Sequence, residues 1–288
     1  MANGIIIVNK SPGWTSQDVT AKLRGVFHEK RIGHGGTLDP MASGVLPVFV
    51  GRATRGVEFF ESAEKEYIAG LRLGVVTNTQ DTTGETLETR PVSVTRGELE
   101  AALAGFTGEI SQLPPMYSAI KVNGQKLYDL ARQGKDVERK PRTITIYELE
   151  LLAQLSPTDY SLRIKCSKGT YIRTLCHDIG MALGCGGCMA SLRRTMAAGY
   201  TLDEAVTMED VQEQGEALLR PVDTLFRQYG AYRITDEKQE RRCLCGNPLN
   251  AESLADGLYR VYGLDGTFLC LSRCENGILT SIKNFFGA

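Results

Sequence analysis

Two hydrophobic rhythms of different period constrain this chain most. In EYIAGLRLGVV, residues 66–76, Tyr67, Ala69, Leu71 and Leu73 recur at every second position, which predicts a strand with one buried face. From Thr170 onward, Ile172, Leu175, Cys176 and Ile179 recur at three and four, which predicts a helix with one apolar stripe. Further strands are predicted at Ile5–Val8, Val45–Val50 and 160–166, and further helices at Ser16–Phe27 and 95–104. Pro47 interrupts the second of those strands and places it at a sheet edge or a bulge. TNTQDTTG, residues 77–84, is a loop by composition. The two kinds of segment interleave without settling into a steady alternation, so the fold class expected is α+β.

The 288 residues suit one large domain, or a large one with a small appendage. Near Leu225 to Tyr232 the texture changes to short apolar pieces separated by Gly, Asp and Asn, which reads as a small all-β module. The boundary is placed near residue 230, giving domains at 1–230 and 231–288. Ile5–Val8 is too short for a signal-peptide core, and no apolar stretch reaches membrane length. Eight cysteines without a secretion signal fit reduced thiols in the cytoplasm.

The net charge of −1 conceals an uneven distribution. Lys121 to Arg142 carries seven Lys/Arg against three Asp/Glu, whereas Asp203 to Asp223 carries seven acids against Arg220 alone. The first segment also holds Tyr128, with Tyr117 just ahead of it, and two glycines, and reads as a cationic insertion able to touch phosphate. By itself a charge run is more often a solvated surface.

Several chemistries are excluded. There is no P-loop and no GxGxxG, and the three histidines lack metal-ligand spacing. Cys185 and Cys188, with Cys243 and Cys245, make a poor zinc set, since the second spacing is too tight and the pairs fall in different domains. Asp81-Thr-Thr-Gly84 is not the Asp-Thr-Gly of an aspartic protease and has no second copy. What remains is GHGGTLDPMASGVLPVFVG, residues 33–51, with Asp39 as its one carboxylate. Asp before Pro is an ordinary helix start, with Asp39 as the cap. Against that stand Tyr67 on the apolar face of a strand, and Tyr171 and Arg173 at a helix start just after another strand.

Those motifs, with GIIIVNKSPGWTS, KEYIAGLRLG, PPMYSAIKVNGQKLYDLARQG, CSKGTYIRTLCHDIG and SLRRT, closely resemble the tRNA pseudouridine-55 synthase family across at least residues 4–195. The resemblance implies a pseudouridine synthase catalytic fold, a mixed and largely antiparallel sheet flanked by helices. It implies that the enzyme isomerises the uridine at position 55 in the T-loop of tRNA without a cofactor or metal. Asp39 matches the catalytic aspartate, Arg173 the arginine that pairs with it, and Tyr67 the tyrosine that stacks on the base. Tyr171 and Leu192 match positions lining the uridine pocket, and His34 matches the histidine that fills the space left by the flipped base. The glycines 33, 35 and 36 are read as room for RNA to approach. The basic insertion, about 112–142, matches a thumb that closes on the T-arm stem-loop, so neither guide RNA nor partner protein is expected and a monomer suffices. The C-terminal module resembles a PUA-like RNA-binding domain. A non-catalytic tRNA-binding or folding protein is the competing function.

Overall fold

The computed structural model, which describes residues 2–61, 63–122 and 124–287, is built on two sheets and two short ribbons. The larger sheet holds nine strands among the described residues: β1 (Gly4–Lys10), β2 (Ile32–His34), β3 (Ser43–Val50), β4 (Lys65–Leu73), β5 (Gly108–Gln112), β6 (Arg142–Gln154), β7 (Asp159–Cys166), β8 (Gly187–Ala197) and β9 (Tyr200–Thr201). Their order is β1-β3-β8-β4-β7-β6-β5, with β2 beside β3 and β9 beside β8. Only the β3–β8 pair is parallel, so the sheet is mixed and largely antiparallel, as the sequence led us to expect.

Helices α1 (Ser16–Phe27), α2 (Arg96–Ala104), α3 (Leu127–Arg132) and α4 (Ile172–Ala182) accompany it. Helix α1 starts where predicted because Thr15 and Asp18 form a reciprocal capping box. It ends at His28, whose φ of 49° breaks the helical run. Val19, Leu23 and Phe27 bury one stripe in the main core. The alternation in β4 holds: Tyr67, Ala69, Leu71 and Leu73 are all buried, and Leu175, Cys176 and Ile179 of α4 join them.

Pro47 departs from expectation. It sits in an interior strand, with β1 along one flank of β3 and β8 and β2 along the other. Partner β8 pairs only at Ser43 and Gly44, and β2 pairs only with residues 48–50. The Pro47 carbonyl accepts from Gly35 N on that second flank (2.9 Å), so the missing Pro N–H points into the gap between two partners, and no ladder bond is lost.

The second sheet comprises β10 (Gly230–Arg233), β11 (Leu249–Asn250), β12 (Gly257–Tyr262), β13 (Phe268–Glu275) and β14 (Ile278–Asn284), ordered β10-β12-β13-β14-β11. It also carries a helix, α5 (Glu237–Leu244), that the strand rhythm did not reveal. EKQERRCL has almost no apolar stripe; Asp236 starts the helix by accepting from Gln239 N (2.8 Å), and Cys243 alone is buried. Phe226, Phe268 and Phe285 form an aromatic seam against the larger sheet. Among the described residues no helix is long and apolar enough to cross a membrane.

Two glycines separate backbone strain from helix propensity. At Gly44, with φ +102°, an added Cβ would lie 2.2 Å from the Arg194 carbonyl oxygen, whereas at exposed Gly25 in α1 it would meet nothing within 4 Å. Gly44→Ala is expected to lose at least about 2 kcal/mol in urea unfolding, and Gly25→Ala to gain roughly 0.5–1 kcal/mol.

Candidate active site

Asp39 lies in the loop between β2 and β3, in a turn closed by Ala42 N donating to Asp39 O (3.0 Å). No helix follows, so Asp39 is not a cap. The loop is pinned on both sides. The Ser16 hydroxyl accepts from Leu38 N (2.9 Å) and lies 3.3 Å from Leu38 O, while Gly13 N donates to Pro40 O (2.8 Å). The fully buried Lys10 ammonium reaches Trp14 O (2.7 Å), Ser11 O (3.1 Å) and Pro40 O (3.4 Å). Burial lowers its pKa to about 8, with Asp39 opposing the shift.

The glycines serve packing more than access. A Cβ on Gly35 would collide with the Phe60 ring at 2.4 Å, and Gly36 has a φ of +88° with Arg194 Nη1 3.4 Å from the position of a Cβ. Gly33 would meet only ordinary contacts. The reading as clearance for RNA is therefore corrected for Gly35, which Phe60 requires, and for Gly36, which its backbone conformation requires.

Arg173, in the first turn of α4, is brought directly to Asp39. Its Nε is 2.9 Å from Asp39 Oδ2 and its Nη2 3.4 Å from Oδ1, a two-point grip on the carboxylate. The guanidinium also donates to Thr79 O (3.1 Å) and Tyr117 O (2.8 Å). Arg173 is 8% exposed at its side chain and Asp39 32%, so the arginine is sealed while the carboxylate stays reachable. Burial raises the Asp39 pKa, Arg173 pulls it down, and Asp81 pushes it up.

Asp81 is a site residue that the sequence reading passed over. Its Oδ2 lies 3.8 Å from Arg173 Nη1, and its Oδ1 accepts from Thr79 Oγ1 (2.8 Å), Thr83 N (2.9 Å) and Thr83 Oγ1 (2.6 Å). The Asp and Thr density of TNTQDTTG is the available signal: these side chains hydrogen-bond within tight turns. Here that wiring holds a buried carboxylate against the arginine.

Arg194 is the second omission, although it lies within SLRRT. In β8, Leu192 and Arg194 point inward while Arg193 points out. Arg194 is 1% exposed, donates to Val45 O (2.7 Å) and Gly36 O (3.1 Å), and pairs in register with Tyr67 across β4. The period-two pattern through Leu192 would have placed it inside. Tyr67 is buried, and burial raises its phenol pKa against the opposing pull of Arg194, so it is a poor proton acceptor in this state.

The other expected residues flank this centre without bonding to Asp39. Leu192 lies on β8 opposite Ala69, one inward position from Arg194, and Tyr171 immediately precedes α4. The backbone of Tyr171 is fixed by buried Gln112, which accepts from its N (2.8 Å) and donates to its O (3.1 Å). His34 ends β2, half-buried, with burial and then Arg194 lowering its pKa. In the basic segment, Lys126 and Arg132 sit over the Tyr128 ring at 5.3 and 5.4 Å.

Comparison with known proteins follows this geometry. Residues 24–172 match the TruB family pseudouridylate synthase (N terminal domain), and residues 173–227 match the tRNA pseudouridylate synthase B C-terminal domain. The chain is 44% identical over 263 residues to tRNA pseudouridine synthase B of Alkaliphilus oremlandii, covering 91% of this chain and 87% of the relative. It is 42% identical over 293 residues to tRNA pseudouridine synthase B of Francisella philomiragia, covering 99% and 95%. A Cbf5 structure, from a Cbf5-Nop10-Gar1 complex, superposes with a TM-score of 0.73 at 27% identity, covering 98% of this chain and 85% of that one. With the family matches spanning the Asp39 loop, Tyr67, Arg173 and Arg194, this chain belongs to the TruB family of pseudouridylate synthases.

Proposed function

We propose that this enzyme converts the uridine at position 55 in the T-loop of tRNA to pseudouridine, with Asp39 as the attacking group. The observation that carries the reading is a reachable carboxylate gripped by a sealed arginine at 2.9 Å. The reaction is an isomerisation: the C1′–N1 bond breaks, the uracil turns in place, C5 bonds to C1′, and the C5 proton is lost as N1 regains one. Atoms balance without a cofactor. Asp39 must be ionised to attack, and Arg173 favours that form.

Tyr67 stacks on the extruded base, because its raised pKa suits a neutral ring better than a base. Such stacking supplies about 1–3 kcal/mol, against a few kcal/mol for extrusion. Tyr171 and Leu192 line the uridine pocket, and His34 occupies the vacated stack. Residues about 112–142 act as a thumb on the T-arm; with it the enzyme works as a cytoplasmic monomer needing no guide RNA. The catalytic domain is 1–230, and 231–288 form a small PUA-like RNA-binding domain.

Asp39→Asn is expected to keep tRNA binding and to abolish tritium release from uridine labelled at C5. Release at the native rate would leave a tRNA-binding protein as the better reading. Arg173→Lys keeps the charge but loses the fork, and turnover should fall roughly a hundredfold. The acid limb of kcat/KM should lie above the ordinary aspartate range, because only ionised Asp39 attacks and its pKa is raised. Asp81→Asn removes one upward push, so that limb should move to lower pH. T-arm binding should weaken as salt rises, and Arg132→Gln should reduce the slope of log K against log salt by about 1.

A further inference from the structure

His34 is held from one side only. Its Nε2 lies 3.3 Å from Nε2 of Gln17, and among the described residues no other group hydrogen-bonds the ring. Its Nδ1 is buried without a partner. Gln17 is the second residue of α1, exposed, on a helix start fixed by Thr15 and Asp18. The Thr20 hydroxyl, which donates to the Gln17 carbonyl (2.9 Å), also faces Gln17 Oε1 at 3.4 Å. With the amide oxygen toward Thr20, the amide NH2 faces His34, and the imidazole nitrogen there must offer a lone pair. The ring proton then resides on Nδ1.

We propose that Gln17 is a positioning residue that holds His34 as the neutral Nδ1–H tautomer and fixes the plane in which the ring meets RNA. The inference rests on the reading of His34 as the group filling the vacated stack, and adds what orients it. The charged group acting on His34 is Arg194 from β8, which with burial opposes the imidazolium. Gln17, from α1, adds no charge. A neutral flat ring can enter a base stack without a counter-charge.

The test reads the tautomer directly. In the 15N-histidine-labelled protein, long-range 1H–15N spectra separate the two neutral tautomers and the cation; the three histidines are assigned by substituting His28 and His177. Wild type should give the Nδ1–H pattern at neutral pH. Gln17→Leu should collapse it to the averaged pattern of an unrestrained ring, and lower kcat on a T-arm hairpin about tenfold with little change in KM. Gln17→Glu places a carboxylate against Nε2, which should bind a proton. Its His34 should titrate above the ordinary histidine range, and turnover should fall as pH drops through that same midpoint. A glutamate in the first helical turn favours α1, so this variant should fold. An Nε2–H pattern in wild type, an unchanged pattern in Gln17→Leu, or a Gln17→Glu pH profile that ignores the His34 titration would each overturn the proposal. The spectra are taken on the free protein, so they stand whatever Asp39→Asn does, and a failure here leaves the Asp39 result intact.

Discussion

Everything at the centre of this molecule is arranged around one guanidinium. Arg173 joins four segments: the Asp39 loop, the Thr79–Asp81 loop, the chain at Tyr117, and its own helix α4. A buried arginine is costly unless each donor finds an acceptor, and here two carboxylates and two carbonyls supply them. Removing either carboxylate therefore changes more than charge. Losing Asp39 frees buried donors, and losing Asp81 removes a charge that helps to place the guanidinium, so Asp39 and Asp81 should behave as a coupled pair and not as independent sites.

The electrostatic balance follows. Arg173 and Lys10 act on Asp39, and Arg194 acts in turn on Lys10 and Tyr67. Two of the cations are tied to main-chain oxygens: Arg194 to Val45 and Gly36, Lys10 to Ser11, Trp14 and Pro40. Their hydrogen bonds thus shape the two loops that present Asp39, while their charge suits a polyanionic substrate. This explains how a glycine-rich loop with little regular structure can hold a carboxylate in one place.

Legibility differed by kind of residue. Tyr67 could be placed from alternation alone, since a period-two face fixes which residues of β4 are inside, and α1 could be bounded from its capping box. Asp39 and Arg173 could not be joined by spacing, because 134 positions separate them; the family resemblance paired them. Asp81 was hidden by its setting, as a threonine-rich turn looks the same whether its aspartate serves the turn alone or also an arginine across the site. Arg194 was hidden by its type. A charged residue in an apolar strand reads as an outward position, and only the alternation with Leu192 says otherwise. Helix α5 escaped because its face is almost wholly polar.

Tyr117 and Asp39 share one amino group of Arg173. Arg173 Nη2 lies 2.8 Å from Tyr117 O and 3.4 Å from Asp39 Oδ1, so the same amino group serves both. The bond to Tyr117 O is the shorter, and the longer one goes to the carboxylate. Any movement of residue 117 therefore alters how squarely the fork meets Asp39, while the Nε contact at 2.9 Å keeps the pair from separating. Thr79 O and Asp81 hold the opposite side of the guanidinium against α4. That geometry connects the Tyr117 segment to the Asp39 carboxylate through one side chain.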